Sequence, residues 1–183
     1  SNLPGKMVVS QDPITGAGKN AGFHVVNVCA NDVASMGAKP MFFLSTIIMP
    51  KGTTEEDLEK ISKDIERAAK EIGISIVGGH TEISSKVTDL ILSGTMIGFA
   101  DRYVSTSGAR EGDDILLTKG AGIEGTAILA ESKYDHLSKS LDQSLLKSAM
   151  GLINQISVVK EALIASSLGA VALHDPTEGG ISN

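Results

Sequence analysis

The sequence predicts a mixed α/β fold of the α+β class, and three patterns indicate it. Residues 41–49 form a continuous apolar run, which is typical of a strand buried on both faces. Residues 54–72 place apolar side chains at helical spacing. Strand-like and helix-like segments alternate up to residue 99, so we expect a sheet that is at least partly parallel.

Each element of the first hundred residues has its own local signal. We predict strands at residues 7–10, 41–49, 74–77 and 89–99, and helices at residues 22–36 and 54–72. Gly37 is a plausible end for the first helix. Thr54 can cap the second helix, and Gly73 can end it.

The remaining residues indicate a second unit. Residues 101–114 are polar and contain glycine, so they form the best candidate for a linker. A strand at 115–118 and a glycine-rich turn at 119–125 are expected next. Helices at 126–131, 141–153 and 157–168 then lead to a strand at 170–173.

Composition excludes several classes of protein. The chain has 183 residues, of which 42% are hydrophobic, so it can fill one large core or one core and part of another. The net charge of −6 argues against nonspecific nucleic-acid binding. No apolar run is long enough for a membrane span, and the single cysteine fits a cytoplasmic location. Because the sequence stops directly after a glycine-rich motif, we expect a fragment of a longer protein.

Asp12 is the first candidate site residue. It follows an apolar run and precedes a loop that contains Thr15 and Gly16. A carboxylate at a strand end can reach a ligand beyond the sheet edge. The alternative is an aspartate that caps its own turn, and from local sequence alone that alternative is favoured.

Asn31 and Asp32 lie within a helical pattern whose neighbours are small or apolar. Burying an acid there is costly unless it is paired, hydrogen-bonded or bound to metal. An exposed helix face is an equally good interpretation of the spacing. Cys29 is interpreted as a small core residue.

Two glycine-rich motifs also combine permissive backbone with polar side chains. The first contains Gly78, Gly79, His80, Thr81 and Glu82, and the second contains His174, Asp175, Pro176, Thr177, Gly179 and Gly180. Glycine allows the backbone to approach an anion, while carboxylates hold the Mg²⁺ that neutralises it. Each motif could equally be an ordinary turn.

Taken together, these motifs resemble the superfamily of aminoimidazole ribonucleotide synthetase, also called the PurM-like superfamily. Its other members include selenophosphate synthetase, thiamine-monophosphate kinase and the hydrogenase-maturation dehydratase. The most specific matches are Asn-Asp-Val-Ala-Ser-Met-Gly-Ala-Lys-Pro at 31–40 and Ser-Gly-Ala-Arg-Glu-Gly-Asp at 107–113. The His-Asp-Pro-Thr motif is most similar to the hydrogenase-maturation branch.

The resemblance implies two domains and a dimer. Residues 1–100 would form an ATP-binding domain that builds a dimeric β-barrel-like core with a second subunit. Residues 101–112 would be the linker, and residues 113–183 the beginning of an α/β C-terminal domain. The expected partners are a second copy, a small-molecule substrate and a maturation protein, with no nucleic acid and no membrane.

The resemblance also implies an ATP-dependent enzyme with Mg²⁺, although it assigns no catalytic residue. The metal ligands would be Asp12, Asp32 and His80. The nucleotide-binding residues would be Thr15, Gly16, Asn31, Gly78, Gly79, Thr81, Asp175, Thr177, Gly179 and Gly180. His80 stands where the family usually has an acid, and Glu178 stands where it often has arginine. A catalytically altered nucleotide-binding or regulatory dimer is therefore the alternative, and a fragment that mainly dimerises is a third.

Overall fold

The fold is a mixed four-stranded sheet with helices on one face, seen in a computed structural model that describes residues 5–14, 20–177 and 179–182. The strands are β1 (Lys6–Ile14), β2 (Lys39–Pro50), β3 (Ser75–Ser84) and β4 (Ile91–Ala100). Their order is β1-β4-β2-β3; β2 and β3 are parallel, and the other neighbours are antiparallel. The predicted mixed α/β class is confirmed.

The helices are α1 (Ala21–Ser35), α2 (Glu55–Ile72), α3 (Ile123–Ser132), α4 (Tyr134–Leu137), α5 (Gln143–Gly151) and α6 (Val159–Ser167). Five of the predicted helices are confirmed to within a few residues, and α4 was not predicted. Among the described residues, none of the helices combines the length and the apolar character needed to cross a lipid bilayer.

Helix α1 is the centre of the core. It packs against the sheet, α2 and α6, so apolar residues lie on nearly all of its sides. Its fully buried side chains include Phe23, Val25, Val26, Cys29, Ala30, Val33 and Ala34. The interpretation of Asp32 as part of an exposed helix face is therefore wrong, because this helix is enclosed.

Helix α2 begins and ends as its sequence predicts. The Thr54 side chain accepts a hydrogen bond from the Asp57 backbone N–H, and the Asp57 carboxylate accepts one from the Thr54 backbone N–H at 2.9 Å. This reciprocal capping box satisfies amide groups that have no partner within the helix. Gly73 ends the helix with a left-handed backbone, at φ 81°.

The face of the sheet that the helices leave open is largely apolar. Met7 and Val9 of β1 are 64% and 51% exposed on it. The pairing register places them beside Phe99 and Ile97 of β4, which are half-buried. Leu44 and Ile48 of β2 continue the same surface. We call this surface, formed by Met7, Val9, Leu44, Ile48, Ile97 and Phe99, the open sheet face.

Strand β3 is longer than the sequence indicates. It was predicted to stop before Gly78, but it runs on to Ser84 and contains the whole first glycine-rich motif. A register shift in the pairing with β2 precedes Gly78. A Cβ atom on Gly79 would lie 2.2 Å from the Ser45 carbonyl oxygen, and its φ is 155°. Gly79 is therefore needed for strand packing.

Two predicted strands do not form. Residues 115–118 and 170–173 contain no strand, although their composition favours one. Ile115 and Leu116 are 92% and 89% exposed. An extended segment is stable in a sheet only when a neighbouring strand satisfies its backbone, and among the described residues neither segment has such a neighbour.

Candidate functional site

Strand β1 presents Ser10 and Asp12 to the helix-covered side of the sheet. Exposure alternates along the strand, with Val9 and Gln11 exposed and Ser10 and Asp12 half-buried. The strand continues to Ile14, so the expectation that Asp12 stands at a strand end is wrong. Pairing of Asp12 with Gly94 of β4 keeps the backbone extended beyond Pro13, where the sequence suggested a turn.

Helix α1 brings Asp32 to the same place. The Ser10 hydroxyl group lies 3.1 Å from Asp12 Oδ2 and also contacts Asp32 Oδ2. The Ser10 hydroxyl group therefore joins the two acids, which lie close enough for each to affect the pKa of the other. Because a serine has one hydroxyl proton, Ser10 can donate to only one of the two acids at a time.

A third acid reaches this pair from the far end of the chain. Beyond the effect of burial, the charge of Asp175 raises the pKa of Asp32 and the charge of Asp12 raises the pKa of Asp175, so the three carboxyl groups lie near one another. We call Asp12, Asp32 and Asp175 the acid cluster.

The acid cluster is electrostatically unfavourable when all its members are ionised. Burial, together with the neighbouring Asp32, raises the pKa of Asp12 from 3.8 to about 6. Burial also raises the pKa of Asp32 and that of Asp175. A carboxylate in such a place is stabilised by a bound proton or by a cation.

Cys29 lies behind the acids and does not act as a nucleophile. Its thiol is fully buried and donates a hydrogen bond to the Gly94 carbonyl oxygen at 3.4 Å. Burial raises the pKa of Cys29 to about 12, so the thiolate that nucleophilic attack requires is not formed at neutral pH. Its interpretation as a core residue is confirmed.

The donor set of the cluster fits Mg²⁺. Carboxylate and hydroxyl oxygens are hard ligands, and Mg²⁺ in nucleotide sites is usually held by one or two carboxylates together with phosphate oxygens and water. Within the described part of the chain, no three His, Cys, Asp or Glu side chains converge as a ready-made metal cage. Any Mg²⁺ bound there would need further ligands, such as phosphate oxygens and water.

The amide of Asn31, next to Asp32, is fully used by the backbone. Its Nδ2 donates to the Ile156 carbonyl oxygen at 2.9 Å, and its Oδ1 accepts from the Val158 N–H at 2.8 Å. The structure thus places Asn31 beside the acids but turned toward the segment that precedes α6.

The second glycine-rich motif surrounds Asp175 with exposed backbone. Thr177, Gly179 and Gly180 are exposed, and the Gly180 N–H donates to the Thr177 carbonyl oxygen at 3.2 Å, which forms a turn. Both glycines have a positive φ, 84° and 69°. The two candidates Thr15 and Gly16 lie outside the described residues.

His80 and its neighbours lie far from the acids within one chain. Two strands separate β3 from β1, which corresponds to roughly 14 Å. Gly79 shares a cross-strand row with Asp12, so the adjacent His80 points to the open sheet face. The His80 Nε2 atom lies 3.3 Å from Glu82 Oε2, and both side chains are exposed. Gly78 and Thr81 are exposed on the same strand.

His24 is a paired core histidine. It is buried, and its Nδ1 atom lies 2.9 Å from Glu124 Oε1 of α3. Near it is a cavity of about 40 Å³, lined in part by Asn20 and Met150. This cavity is too small for a nucleotide.

Sequence reasoning missed Ser10 and Ser35. Ser10 could have been found from strand periodicity, because it lies two residues before Asp12 and therefore on the same face. Ser35 lies three residues after Asp32, one helical turn along α1, and its hydroxyl donates to the Asp32 carbonyl oxygen at 2.8 Å.

Comparison with known proteins identifies the family. Residues 5–100 match the family described as AIR synthase related protein, N-terminal domain. The matched region is the four-stranded sheet with α1 and α2, and it spans more than half of the chain. The chain therefore belongs to the AIR synthase-related family, as the sequence motifs predicted.

The curated relatives are hydrogenase-maturation proteins and kinases. A putative hydrogenase expression/formation protein of Methanocaldococcus jannaschii is 34% identical over 93% of this chain and 49% of its own length. Carbamoyl dehydratase HypE of Cupriavidus necator is 30% identical over 97% of this chain and 51% of its own length. Thiamine-monophosphate kinase of Pyrococcus horikoshii is 35% identical over 65% of this chain and 38% of its own length.

Solved structures agree with this assignment. The hydrogenase maturation protein HypE in complex with ATP has a TM-score of 0.65 at 29% identity, over 73% of this chain and 43% of that one. A HypE–HypF complex has a TM-score of 0.75 at 24% identity, over 94% of this chain and 57% of that one, and shows the common fold. The chain spans about half the length of the curated hydrogenase-maturation relatives that it matches.

Proposed function

We propose that the acid cluster binds Mg-ATP and that the chain is the nucleotide-binding part of an ATP-dependent enzyme acting on a small substrate. The observation that carries the proposal is the meeting of Asp12, Asp32 and Asp175, three acids from distant segments, in a half-buried site. Because their pKa values are raised, a bound cation would relieve their mutual repulsion. Mg²⁺ there would neutralise the charge of the triphosphate, which is much of what phosphoryl transfer requires.

We further propose that the reaction is most similar to that of the hydrogenase-maturation branch. Support comes from the relatives described as a putative hydrogenase expression/formation protein and as carbamoyl dehydratase HypE. A related HypE has been solved with ATP, and another with HypF. A maturation-protein partner and a cytoplasmic location are parts of this proposal. The division into domains at residues 1–100 and 113–183, with a linker between them, is another part.

The open sheet face supports the proposed homodimer. It is a largely apolar surface on one side of the sheet, interrupted by polar residues such as Thr46 and Thr95, and apolar surfaces mark protein–protein contacts. Because His80 points to this same face and the acids lie on the helix-covered side, His80 does not reach the acid cluster within one chain. We therefore propose that each chain contributes part of β3 to the nucleotide site of its partner, namely Gly78, Gly79, His80 and Thr81. Asp12 and Asp32 would ligate the metal within each chain.

Binding of ATP measured by calorimetry with and without Mg²⁺ tests this function. Asp32→Asn should weaken Mg-ATP binding by about tenfold or more, since a carboxylate ligand is lost. Asp135→Asn is the matched control, because it removes one negative charge from an exposed position on α4. Equal Mg-ATP affinities for wild type and Asp32→Asn, with folding intact, would contradict the metal assignment.

The position of His80 favours a second candidate, a nucleotide-binding or regulatory dimer that has lost catalysis. In one chain, the residue that replaces the usual family acid does not reach the acid cluster. ADP release by the full-length protein separates the two candidates. Mg-ATP binding without ADP release, for every amide, thiocarboxamide and phosphate substrate offered, would favour the regulatory dimer.

A further inference from the structure

Two side chains from elsewhere in the chain, Asn31 of α1 and Arg102 after β4, hold helix α6 near both of its ends. At the start of α6, Asn31 bonds to both the Ile156 carbonyl oxygen and the Val158 N–H, at 2.9 and 2.8 Å. At its end, Arg102 donates from one guanidinium nitrogen to the Ser166 carbonyl oxygen at 3.2 Å and from the other to the Ala170 carbonyl oxygen at 2.8 Å. Neither contact was foreseen from the sequence.

The two contacts are chemically suited to holding backbone in place. The last carbonyl groups of a helix have no partner within it, and a cation near them is also favoured by the helix dipole. The planar guanidinium group can bridge two carbonyl oxygens at once, whereas a lysine ammonium group acts as a single point charge. Asn31 satisfies one donor and one acceptor before the helix begins.

The backbone at this junction also approaches unusually closely. Gly37, just after α1, has φ 75°, and a Cβ atom there would lie 2.8 Å from the Arg102 carbonyl oxygen and 2.9 Å from Ser166 Oγ. The Val104 N–H donates to the Met36 carbonyl oxygen at 3.0 Å. The end of α1, the segment after β4 and the end of α6 therefore form one packed unit.

Two short stretches of the chain connect this packed unit to the acid cluster. Asn31 directly precedes Asp32 in α1, and Ala170 begins the short segment that leads to Asp175. Asp175 lies near enough to Asp32 for its charge, in addition to burial, to raise the pKa of Asp32. Fixing the two ends of α6 thus limits where Asp175 can lie relative to Asp32.

We propose that Arg102 and Asn31 are positioning residues that hold Asp175 against Asp32 and thereby set the Mg²⁺-dependent affinity for nucleotide. The proposal rests on the proposed function of the acid cluster. It gives Asn31 a role different from the nucleotide contact that the motif implied, because both ends of its amide already bind backbone. It also assigns a role to Arg102, which lies between the recognised motifs.

A mutant cycle with Arg102→Gln and Asp175→Asn, read out as ATP affinity with and without Mg²⁺, tests the proposal. Arg102→Gln should weaken Mg-ATP binding roughly three- to tenfold and leave the metal-free affinity unchanged. Arg102→Lys should lose less, since one contact can be kept. Adding Arg102→Gln to Asp175→Asn should cause no further loss, because Arg102 acts through Asp175. Lys160→Gln is the control, an equal charge change at an exposed position of α6.

Hydrogen exchange of residues 168–175 in the nucleotide-free protein supplies a second measurement. Exchange should be faster in Arg102→Gln and unchanged in Lys160→Gln. The inference would be overturned if Arg102→Gln behaved as Lys160→Gln does in both ATP affinity and hydrogen exchange. It would also be overturned if the losses of affinity from Arg102→Gln and Asp175→Asn added in the double variant. If Mg²⁺ changes the ATP affinity of neither wild type nor Asp175→Asn, the proposed function itself fails. The proposed role of Arg102 and Asn31 in nucleotide affinity then fails with it.

Discussion

The carboxyl group of Asp12, on a strand, and that of Asp32, on the helix that crosses the strand, share the Ser10 hydroxyl group as a hydrogen-bond partner. Two acids in this position repel each other when ionised, and burial makes each charge more costly. The protein nevertheless keeps both, with the Ser10 hydroxyl group touching each. Stability and the proposed binding of a metal ion therefore make opposite demands on these residues, and the effect on stability can be measured.

Asp12→Asn should stabilise the nucleotide-free protein at neutral pH. The pKa of Asp12 is about 6 in the folded protein and 3.8 ordinarily, so folding disfavours the ionised form. The contribution of Asp12 to stability is full below about pH 3.8 and is lost as the pH rises through 6. Asparagine carries no charge, so the variant should gain on the order of 1 kcal/mol at neutral pH, after allowance for solvent screening.

Urea denaturation of wild type and variant across this pH range measures the gain. The difference in unfolding free energy should be small in acid and should grow toward neutral pH. Asp135→Asn, at an exposed site, should show no such growth. A gain that is the same at every pH would contradict the electrostatic explanation and would point to packing.

Features set by local signals could be predicted from the sequence, whereas features set by long-range contacts could not. Helix α2 was predicted to within one residue at its start, because Thr54, Asp57 and Gly73 act on their own neighbours. The pairing of Asp12 with Asp32 followed from family motifs. The proximity of Asp175 and the sharing of Ser10 could not be predicted in this way, since they depend on how α1 crosses β1 and how α6 is held.

The wrong predictions of secondary structure also arise from long-range contacts. Gly78 and Gly79 locally favour a turn, but pairing with β2 and a register shift keep them in a strand. Ile115 and Leu116 favour a strand, but a strand also needs a neighbour. In each case the composition is local, whereas the partner that decides the structure is distant in sequence.

Asp57→Asn should make the start of α2 less stable, in a pH-dependent manner. The Thr54 backbone N–H and side chain hold the pKa of Asp57 below its ordinary value of 3.8. A lowered pKa means that the stabilisation is present above pH 3.8 and is lost as the pH falls through the native value. Glu56→Gln removes a charge from the same turn without breaking the capping box. Chemical denaturation at several pH values should therefore show a pH-dependent loss for Asp57→Asn beyond that of Glu56→Gln.

Gly98→Ala should destabilise the core and disturb the acid cluster. A Cβ atom there would lie 2.4 Å from Val33 Cγ1 and 2.6 Å from the Lys39 carbonyl oxygen. Since the Lys39 carbonyl is backbone of β2 and Val33 belongs to α1, both elements must move away from β4, and we expect a loss of about 1–3 kcal/mol in unfolding free energy. Because Val33 adjoins Asp32, Mg-ATP affinity should fall as well.

Gly125→Ala is the matched control for this substitution. Its added Cβ atom would have no neighbour within 4 Å, and Gly125 lies within helix α3. Alanine favours a helix over glycine by about 1 kcal/mol, so this variant should be as stable as wild type or more stable. Thermal and chemical unfolding of the two variants would test the contrast; equal stability would show that α1 can move away from β4 without cost.

Val9→Lys should convert the proposed dimer to a monomer without unfolding the chain. Val9 is 51% exposed on the open sheet face, so a lysine there can be solvated in a monomer, whereas an apolar interface would have to bury its charge. Leu145→Lys is the matched control, since Leu145 is 56% exposed on α5, away from the sheet. Sedimentation velocity should show a monomer for Val9→Lys and an unchanged dimer for Leu145→Lys. If both variants sediment as wild type does, the open sheet face is not the dimer interface, and His80 has no route to the acid cluster through it.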